Sequence, residues 1–475
     1  MRAIRKPLIM RGMVLLHYMV MVALFAVCWW LFYSHVTAES VFEAMDISVY
    51  AFYAVSLLML SRIYSAYRVG LLHVGDLLYG QTLANLISLG LTYLLACVLA
   101  RKLINPLAGF GCAAVQALFS AGWTISANRL YFSLHKPKRT VVIYRNESDL
   151  RKLEEIRFFA DRWSVERTVQ WDEENVHDLP NEKETPGGRS FKDIQKLMRI
   201  MEDYDAVFVS GVSATLRNGI VKYCVEKNKA CYFVPHTGDV IISGAEHIRS
   251  FSVPICRARR SRPAPEYLLL KRAMDIVLSL LAIIVLSPFM ALAALAIWSY
   301  DRGPVLYKQV RLTQDGRTFE ILKLRSMIVD AEKGGARLAG EHDDRITPIG
   351  RIIRAIRFDE LPQLFNILRG DMSIVGPRPE RPEIAEQYRQ ELPAFDLRLQ
   401  VKAGLTGYAQ IYGRYNTEPQ DKLKMDLMYI NHASLAEDIK LIFATVRVLF
   451  LRDSTSGVRE GQITASVAEK TEKSA

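Results

Sequence analysis

The sequence predicts an integral membrane protein of mixed α and α/β class. Its expected parts are a four-helix transmembrane bundle, a Rossmann-like α/β domain lacking the glycine-rich loop, and a broken re-entrant membrane helix joined to a compact, mostly helical α+β domain. Three observations carry this reading. Four long apolar runs precede residue 130, strand and helix patterns then alternate, and a fifth apolar run, interrupted by proline, opens a region of ordinary soluble composition. At 475 residues the chain is too long for one core. A net charge of +11 with half of the residues apolar argues against a soluble nucleic-acid binder and for a chain held against an anionic bilayer.

The first four runs, at about 13–33, 47–61, 82–100 and 105–127, each come near the roughly 20 residues a helix needs to cross hydrocarbon. The first is long and lacks a small-x-small cleavage site, so it reads as a span and not as a cleaved signal. Arg2, Arg5, Lys6 and Arg11 precede it, and the loop after it carries Glu39, Glu43 and Asp46 without a Lys or Arg. The N-terminus is therefore expected on the cytoplasmic side, and four spans return the chain there. Cys28, Cys97 and Cys112 lie in apolar runs, and Cys224, Cys231 and Cys256 have no Cys-x-x-Cys spacing, so neither disulfides nor zinc are expected. The bundle is assigned to residues 1–135.

Residues 136–256 form the α/β domain. "RTVVIYRN" (139–146), "DAVFVSG" (205–211) and "ACYFVPH" (230–236) read as strands, and "DIQKLMRIMEDY" (193–204) and "LRNGIVKYCVEKN" (216–228) as helices. Arg145 and Asn146 stand where a phosphate-binding loop needs glycine, so the domain is expected to be regulatory or structural, with no cofactor. The linker 257–267 begins "RARRSRPAP", either a solvated connector or a strip on anionic headgroups at about 1 kcal/mol per arginine.

The fifth run, within 268–300, has Ser287 and Pro288 at its middle and basic residues at both ends: Lys271 and Arg272 before, Arg302, Lys308 and Arg311 after. A helix that enters the bilayer, breaks at Ser287-Pro288 and returns satisfies both facts. Residues 301–452 follow as a compact domain. Asp315-Gly316 signals a hairpin between "PVLYKQVRL" and "RTFEILKLRS", whose period of two puts Lys323 and Arg325 on one face. "IGRIIRAI" and "LPQLFNIL" have helical spacing, with Gly370 placed to end the second. Helix "DIKLIFATVRVLFL" reads as core packing before bilayer docking, and the polar tail 453–475 as disordered. His342, with no second histidine at metal spacing, is assigned to the surface.

Asp359 and Glu360 sit between the two helices, at the start of the second, with Pro362 in its first turn. Helix capping is the ordinary role of such a pair. Surrounding cations and a helix end favour the ionised forms, and two ionised neighbours can divide labour as nucleophile and magnesium ligand. "GPRP" then fixes Arg378 between prolines, where its fork suits phosphate oxygens. These are the parts of a phosphoryl-transfer site.

Residues 268–452 resemble the bacterial sugar transferase domain of the polyprenol-phosphate hexose-1-phosphate transferases, the monotopic phosphoglycosyl transferases. "LSP" in the broken helix, "GPVLYKQVR", "ILKLRSM", "RITPIGRIIR", "DELPQLFNILRGDMSIVGPRPERPE" and "KAGLTGYAQIYGR" carry the resemblance. It implies transfer of a sugar-1-phosphate from a UDP-sugar to undecaprenyl phosphate, releasing UMP, at the cytoplasmic face of the bacterial inner membrane, to initiate exopolysaccharide, capsule or O-antigen repeats. By matching motif, Asp359 is the nucleophile forming an aspartyl-phosphosugar and Glu360 holds Mg2+. Arg354 and Arg378 bind phosphate or donor, with Lys323 and Arg325 as weaker candidates, and Ser287-Pro288 is the membrane bend. Ala403 and Ala433 depart from the family pattern, which commonly has proline and tryptophan there. The competing readings are a glycosyl transferase releasing UDP and a non-catalytic membrane scaffold of polysaccharide assembly. The sugar, the pathway and the oligomeric state stay open, a homodimer among the arrangements.

Overall fold

A computed structural model describes residues 2–33, 43–70, 72–153, 160–171, 197–248, 255–261, 263–329, 331, 343–413 and 417–449. His342, the tail and part of the helix expected at 193–204 lie outside these. By its internal contacts the chain divides into two compact units, Met1–Val234 and Pro235–Ala475. Residues 235–256, expected to close the α/β domain, thus belong to the second unit.

The first unit opens with helices α1 (Arg2–Phe32), α2 (Glu43–Ile63), α3 (Val74–Ala100) and α4 (Leu107–Leu134), each long and apolar enough to cross a membrane. α1 packs on α2 and α4, and α3 on the same two. Many leucines and valines point outward, while the interior mixes aromatic and aliphatic side chains with hydrogen-bonded polar ones, as expected where lipid solvates apolar surface and hydrogen bonds help hold helices together. The Tyr53 hydroxyl donates to Asn85 Oδ1 at 2.7 Å, Asn85 Nδ2 to Gln116 Oε1 at 3.1 Å, and Gln116 Nε2 to the Met21 carbonyl at 2.9 Å.

Strands β1 (Lys138–Tyr144), β2 (Trp163–Gln170), β3 (Ala206–Ser210) and β4 (Ala230–Phe233) form one parallel sheet in the order β2-β1-β3-β4. Val141, Ile143, Val207 and Val209 bury against helix α6 (Ala214–Glu226) and residues 197–201. β2 was missed in the sequence, where "WSVERTVQ" alternates too weakly to stand out. After β1, Asn146 accepts the Asp149 N–H at 2.9 Å and starts the short helix α5 (Glu147–Lys152), so a side-chain cap occupies the turn where a dinucleotide loop carries glycine.

The second unit begins with helix α7 (Thr237–Ser243) and the hairpin β5 (Glu246–Ile248) and β6 (Ile255–Arg257). Three of the linker arginines are paired inside this unit: Arg257 and Arg259 with Glu246, and Arg260 with Asp315 at 2.5 Å. That favours the connector reading over a free strip for headgroups. Helix α8 (Pro265–Asp301) is continuous over 37 residues. This corrects the expected break, since Ser287 and Pro288 do not interrupt it and the Ser287 hydroxyl bonds the Ile284 carbonyl at 3.0 Å. Proline removes one donor and bends a helix, a disturbance α8 absorbs without ending. Its apolar window is 6% buried, against 22% to 33% for α1 to α4, so nearly all of its surface faces outward. Both ends are nevertheless held by this unit. Arg272 donates to the Ile367 and Leu368 carbonyls at 2.6 and 2.8 Å, Ile297 buries with Leu324 and Ile353, and Asp301 pairs with Arg325.

Strands β7 (Leu306–Leu312) and β8 (Thr318–Leu324) form the expected antiparallel hairpin, with Asp315 and Gly316 both at positive φ in the turn. Helices α9 (Pro348–Ala355) and α10 (Gln363–Arg369) follow, then strand β9 (Ser373–Val375), helix α11 (Pro382–Glu391) and strand β10 (Gly404–Thr406), which pairs parallel with β9. Helices α12 (Tyr408–Ile411), α13 (Pro419–Asn431) and α14 (Leu435–Leu449) close the core around Ile367, Met372, Leu423, Leu427 and Leu441. α14 does join the core, through the fully buried Leu441, which lies off the stripe Ile439, Ile442 and Phe443 that the sequence pointed inward; these three are only partly buried.

Candidate active site

Thr347 caps α9 by accepting the Gly350 N–H at 2.9 Å, and Gly350 lies so close to Ser326 that a Cβ would meet its carbonyl oxygen at 1.9 Å. α9 is thereby fixed to the end of β8. It ends at Ala355, and two residues on the backbone of Arg357 turns left-handed at φ 53°. A single 3-10 turn, Phe358–Glu360, then carries the acidic pair, and α10 starts only at Gln363. The carboxylates therefore precede the second helix, where the sequence put them in its start. The positive φ at Arg357 swings the chain before Pro362 allows a new helix to form.

Asn366 sets α10 against β8, accepting the Leu322 N–H at 3.0 Å through Oδ1 and donating from Nδ2 to the Glu320 carbonyl at 2.8 Å. This brings Lys323 to the pair, with its Nζ 3.6 Å from Glu360 Oε1, both side chains largely buried. Arg378 donates from Nη2 to the same Glu360 oxygen at 3.0 Å. Burial pushes the Glu360 carboxyl up, but Arg378, Lys323 and Arg357 outweigh it and hold the group down at about 2. Asp359 moves the other way. Burial and the negative charge of Glu360 raise it above the ordinary aspartate value, against the pull of Lys323 and Arg354. The two neighbours thus differ in character: one is a firmly ionised anchor, the other a carboxylate with surplus negative charge beside it.

The Arg378 turn is heavily supported. Gly376 donates to the Thr406 carbonyl and Gly404 to that of Pro377, each at 2.8 Å, and a Cβ on Gly404 would meet Gly376 N at 2.1 Å. "KAGLTG" is therefore a tight strand connection that props this turn. Arg398, buried with Asp426 at 2.7 Å, donates to the Arg378 carbonyl at 3.0 Å, and Arg311 donates to that of Pro379 at 3.0 Å.

Lys323, Arg354 and Arg378 thus converge on Asp359 and Glu360. Arg325 does not. Although it shares a strand face with Lys323, it is 7% exposed, pairs with Asp301, and packs where a Cβ on Gly303 would sit 2.1 Å from Nη1. Its role is to hold the end of α8. Ser287 and Pro288 lie on α8, away from the acidic pair. Arg357, Asn366 and Arg398 were missed. For Arg357 its place beside the pair was a usable signal, whereas Asn366 and Arg398 act through contacts distant in sequence.

The profile of a family described as Bacterial sugar transferase matches residues 266–452. A UDP-N-acetylgalactosamine-undecaprenyl-phosphate N-acetylgalactosaminephosphotransferase of Aeromonas hydrophila is 40% identical over 190 residues, 39% of this chain and 45% of that protein. UDP-glucose:undecaprenyl-phosphate glucose-1-phosphate transferases of Escherichia coli and Caulobacter vibrioides are 43% and 41% identical over 183 and 189 residues. These cover 38% and 39% of this chain, and 39% and 71% of the two relatives. The chain therefore spans less than half the length of the Aeromonas and Escherichia relatives. The matched region contains the whole acidic and cationic site, and more than two thirds of the Caulobacter protein aligns with it. The chain belongs to the bacterial sugar transferase family.

Proposed function

We propose that the protein transfers a sugar-1-phosphate from a UDP-sugar to undecaprenyl phosphate, giving undecaprenyl-diphosphate-sugar and UMP, and so initiates exopolysaccharide, capsule or O-antigen repeats. The observation that carries this reading is the unequal acidic pair: Asp359 beside a Glu360 kept ionised by Arg378, Lys323 and Arg357, in a chain of this family.

An Asp359 oxygen attacks the β-phosphorus of the donor. The bond from that phosphorus to the bridging oxygen breaks, and its electron pair leaves with UMP. A phosphate oxygen of undecaprenyl phosphate then attacks the same phosphorus and expels the aspartate, which returns as a carboxylate. Lys323, Arg354 and Arg378 neutralise the diphosphate so that an anion can approach it. One nucleophile serving both halves lets two bulky substrates use the site in turn.

The side chains fit Mg2+. Among the described residues no group of three or more His, Cys, Asp or Glu could hold a metal. Magnesium, however, takes one or two protein carboxylates and fills its shell with water and phosphate oxygens. Burial first and then the charge of Glu360 raise Asp359; a dication would relieve the second, and Glu360 would hold it. Bound there, it supplies Lewis-acid charge neutralisation at the diphosphate.

Because both ends of α8 are held by one unit, we take the helix to bend at Pro288 without breaking and to lie in one leaflet, and the basic residues flanking it favour the cytoplasmic side. The deciding experiment supplies detergent-solubilised protein with undecaprenyl phosphate and a panel of UDP-sugars. UMP release supports the proposal and identifies the sugar, and UDP release refutes it.

A further inference from the structure

The strand leading to the Arg378 turn is bonded to the membrane helix at Ile374 and, at Val375, rests against a network rooted in that helix. Asp275 is the one charged residue of α8 between Ala273 and Tyr300, and it is 3% exposed. Its Oδ1 accepts the Ile374 N–H of β9 at 3.1 Å. One turn earlier, Lys271 Nζ and the Tyr267 hydroxyl both donate to Asp438 Oδ2, at 2.8 and 2.9 Å. The Tyr429 hydroxyl has one proton, donated to the other oxygen of Asp438 at 2.8 Å, and its oxygen rests against the Val375 carbonyl at 3.3 Å. Asp438 is wholly buried and Tyr429 is 2% exposed. Ile374 is thus bonded directly from α8, and Val375 lies against a phenol that α8 orients through Asp438. Gly376, Pro377 and Arg378 follow at once, and proline on either side leaves the arginine little backbone freedom to correct a displaced strand.

Burying an aspartate at the foot of an apolar helix is costly unless its oxygens are bonded, and what Asp275 bonds is the strand leading to the site. We propose that Asp275, Tyr429 and Asp438 are positioning residues, through which the seating of the lipid-facing helix α8 fixes Arg378 for binding the nucleotide phosphate. This rests on the proposed function only in taking Arg378 as a phosphate ligand.

The test measures UMP affinity calorimetrically on the full chain in lipid nanodiscs. Asp275→Leu and Tyr429→Phe should each weaken UMP by about tenfold, because small displacements of a positioning contact are amplified at the site. Asp275→Asn keeps the acceptor and should stay near wild type. In an Arg378→Ala background neither change should have a further effect. Wild-type affinity in both variants, or the same tenfold loss with Arg378 already removed, overturns the proposal. Tyr429→Phe removes a single oxygen and decides the matter alone if Asp275→Leu does not fold. A wild-type chain that binds UMP but turns over to UDP would refute the proposed function while leaving this cycle readable.

Discussion

Removing Arg378 should weaken catalysis by an amount the site geometry sets. Glu360 is held from its ordinary 4.5 down to about 2 although burial pushes the other way, a preference for the anion worth about 3 kcal/mol. Arg378 heads the cations responsible and donates at 3.0 Å. A hydrogen bond to a charged group contributes roughly 1.5–3 kcal/mol, and Arg378, 41% exposed, belongs at the low end because water screens it. Arg378→Ala should therefore cost about 1.5–2 kcal/mol, between about ten- and thirtyfold in kcat/KM for the UDP-sugar. Arg378→Lys restores charge without the planar fork and should recover only part of it. The assay is UMP release in nanodiscs at limiting donor. A loss below threefold, or full recovery with lysine, would refute the assignment.

Asp359→Asn keeps an oxygen able to cap but removes the nucleophile, so UMP release and any donor-labelled adduct seen by mass spectrometry should vanish while thermal stability holds. Lys323 lowers the Asp359 pKa, so Lys323→Met should raise it and move the acid limb of the kcat/KM profile to higher pH; a limb that stays put or moves down contradicts the arrangement. Asp301→Ala leaves Arg325 buried and unpaired, which should cost about 3–5 kcal/mol and show as earlier thermal unfolding. Ala403→Pro removes the N–H that bonds Thr313 Oγ1 at 3.2 Å, and should destabilise by about 1 kcal/mol in the same measurement.

Much of this arrangement was legible because its signals are local. The apolar runs, the Asp315-Gly316 hairpin and the two amphipathic helices flanking Asp359 each announce themselves within about a dozen residues. The convergence of Lys323, Arg354 and Arg378 came instead from a motif resemblance, since no periodicity brings positions 323 and 378 together. Arg325 shows where pattern reasoning fails. Sharing a strand face with Lys323 said nothing about which neighbour, Glu360 or Asp301, each would meet. The pairing was decided by Gly303, whose missing side chain leaves room for the guanidinium. Ser287-Pro288 misled for a different reason: proline weakens a helix locally, and whether the chain stops or bends there depends on what grips it at either end.

The way α8 threads its own catalytic unit has a practical side. A chain trimmed to start at Gly303, to shed its oily segment, would strip the Ile367 and Leu368 carbonyls of Arg272, the Ile374 amide of its acceptor, Asp438 of its lysine and Arg325 of its aspartate. Water solubility is not to be had by subtraction. The segment works as a staple gripped by the fold at its two ends, and any preparation that keeps this unit whole must bring its amphiphile along.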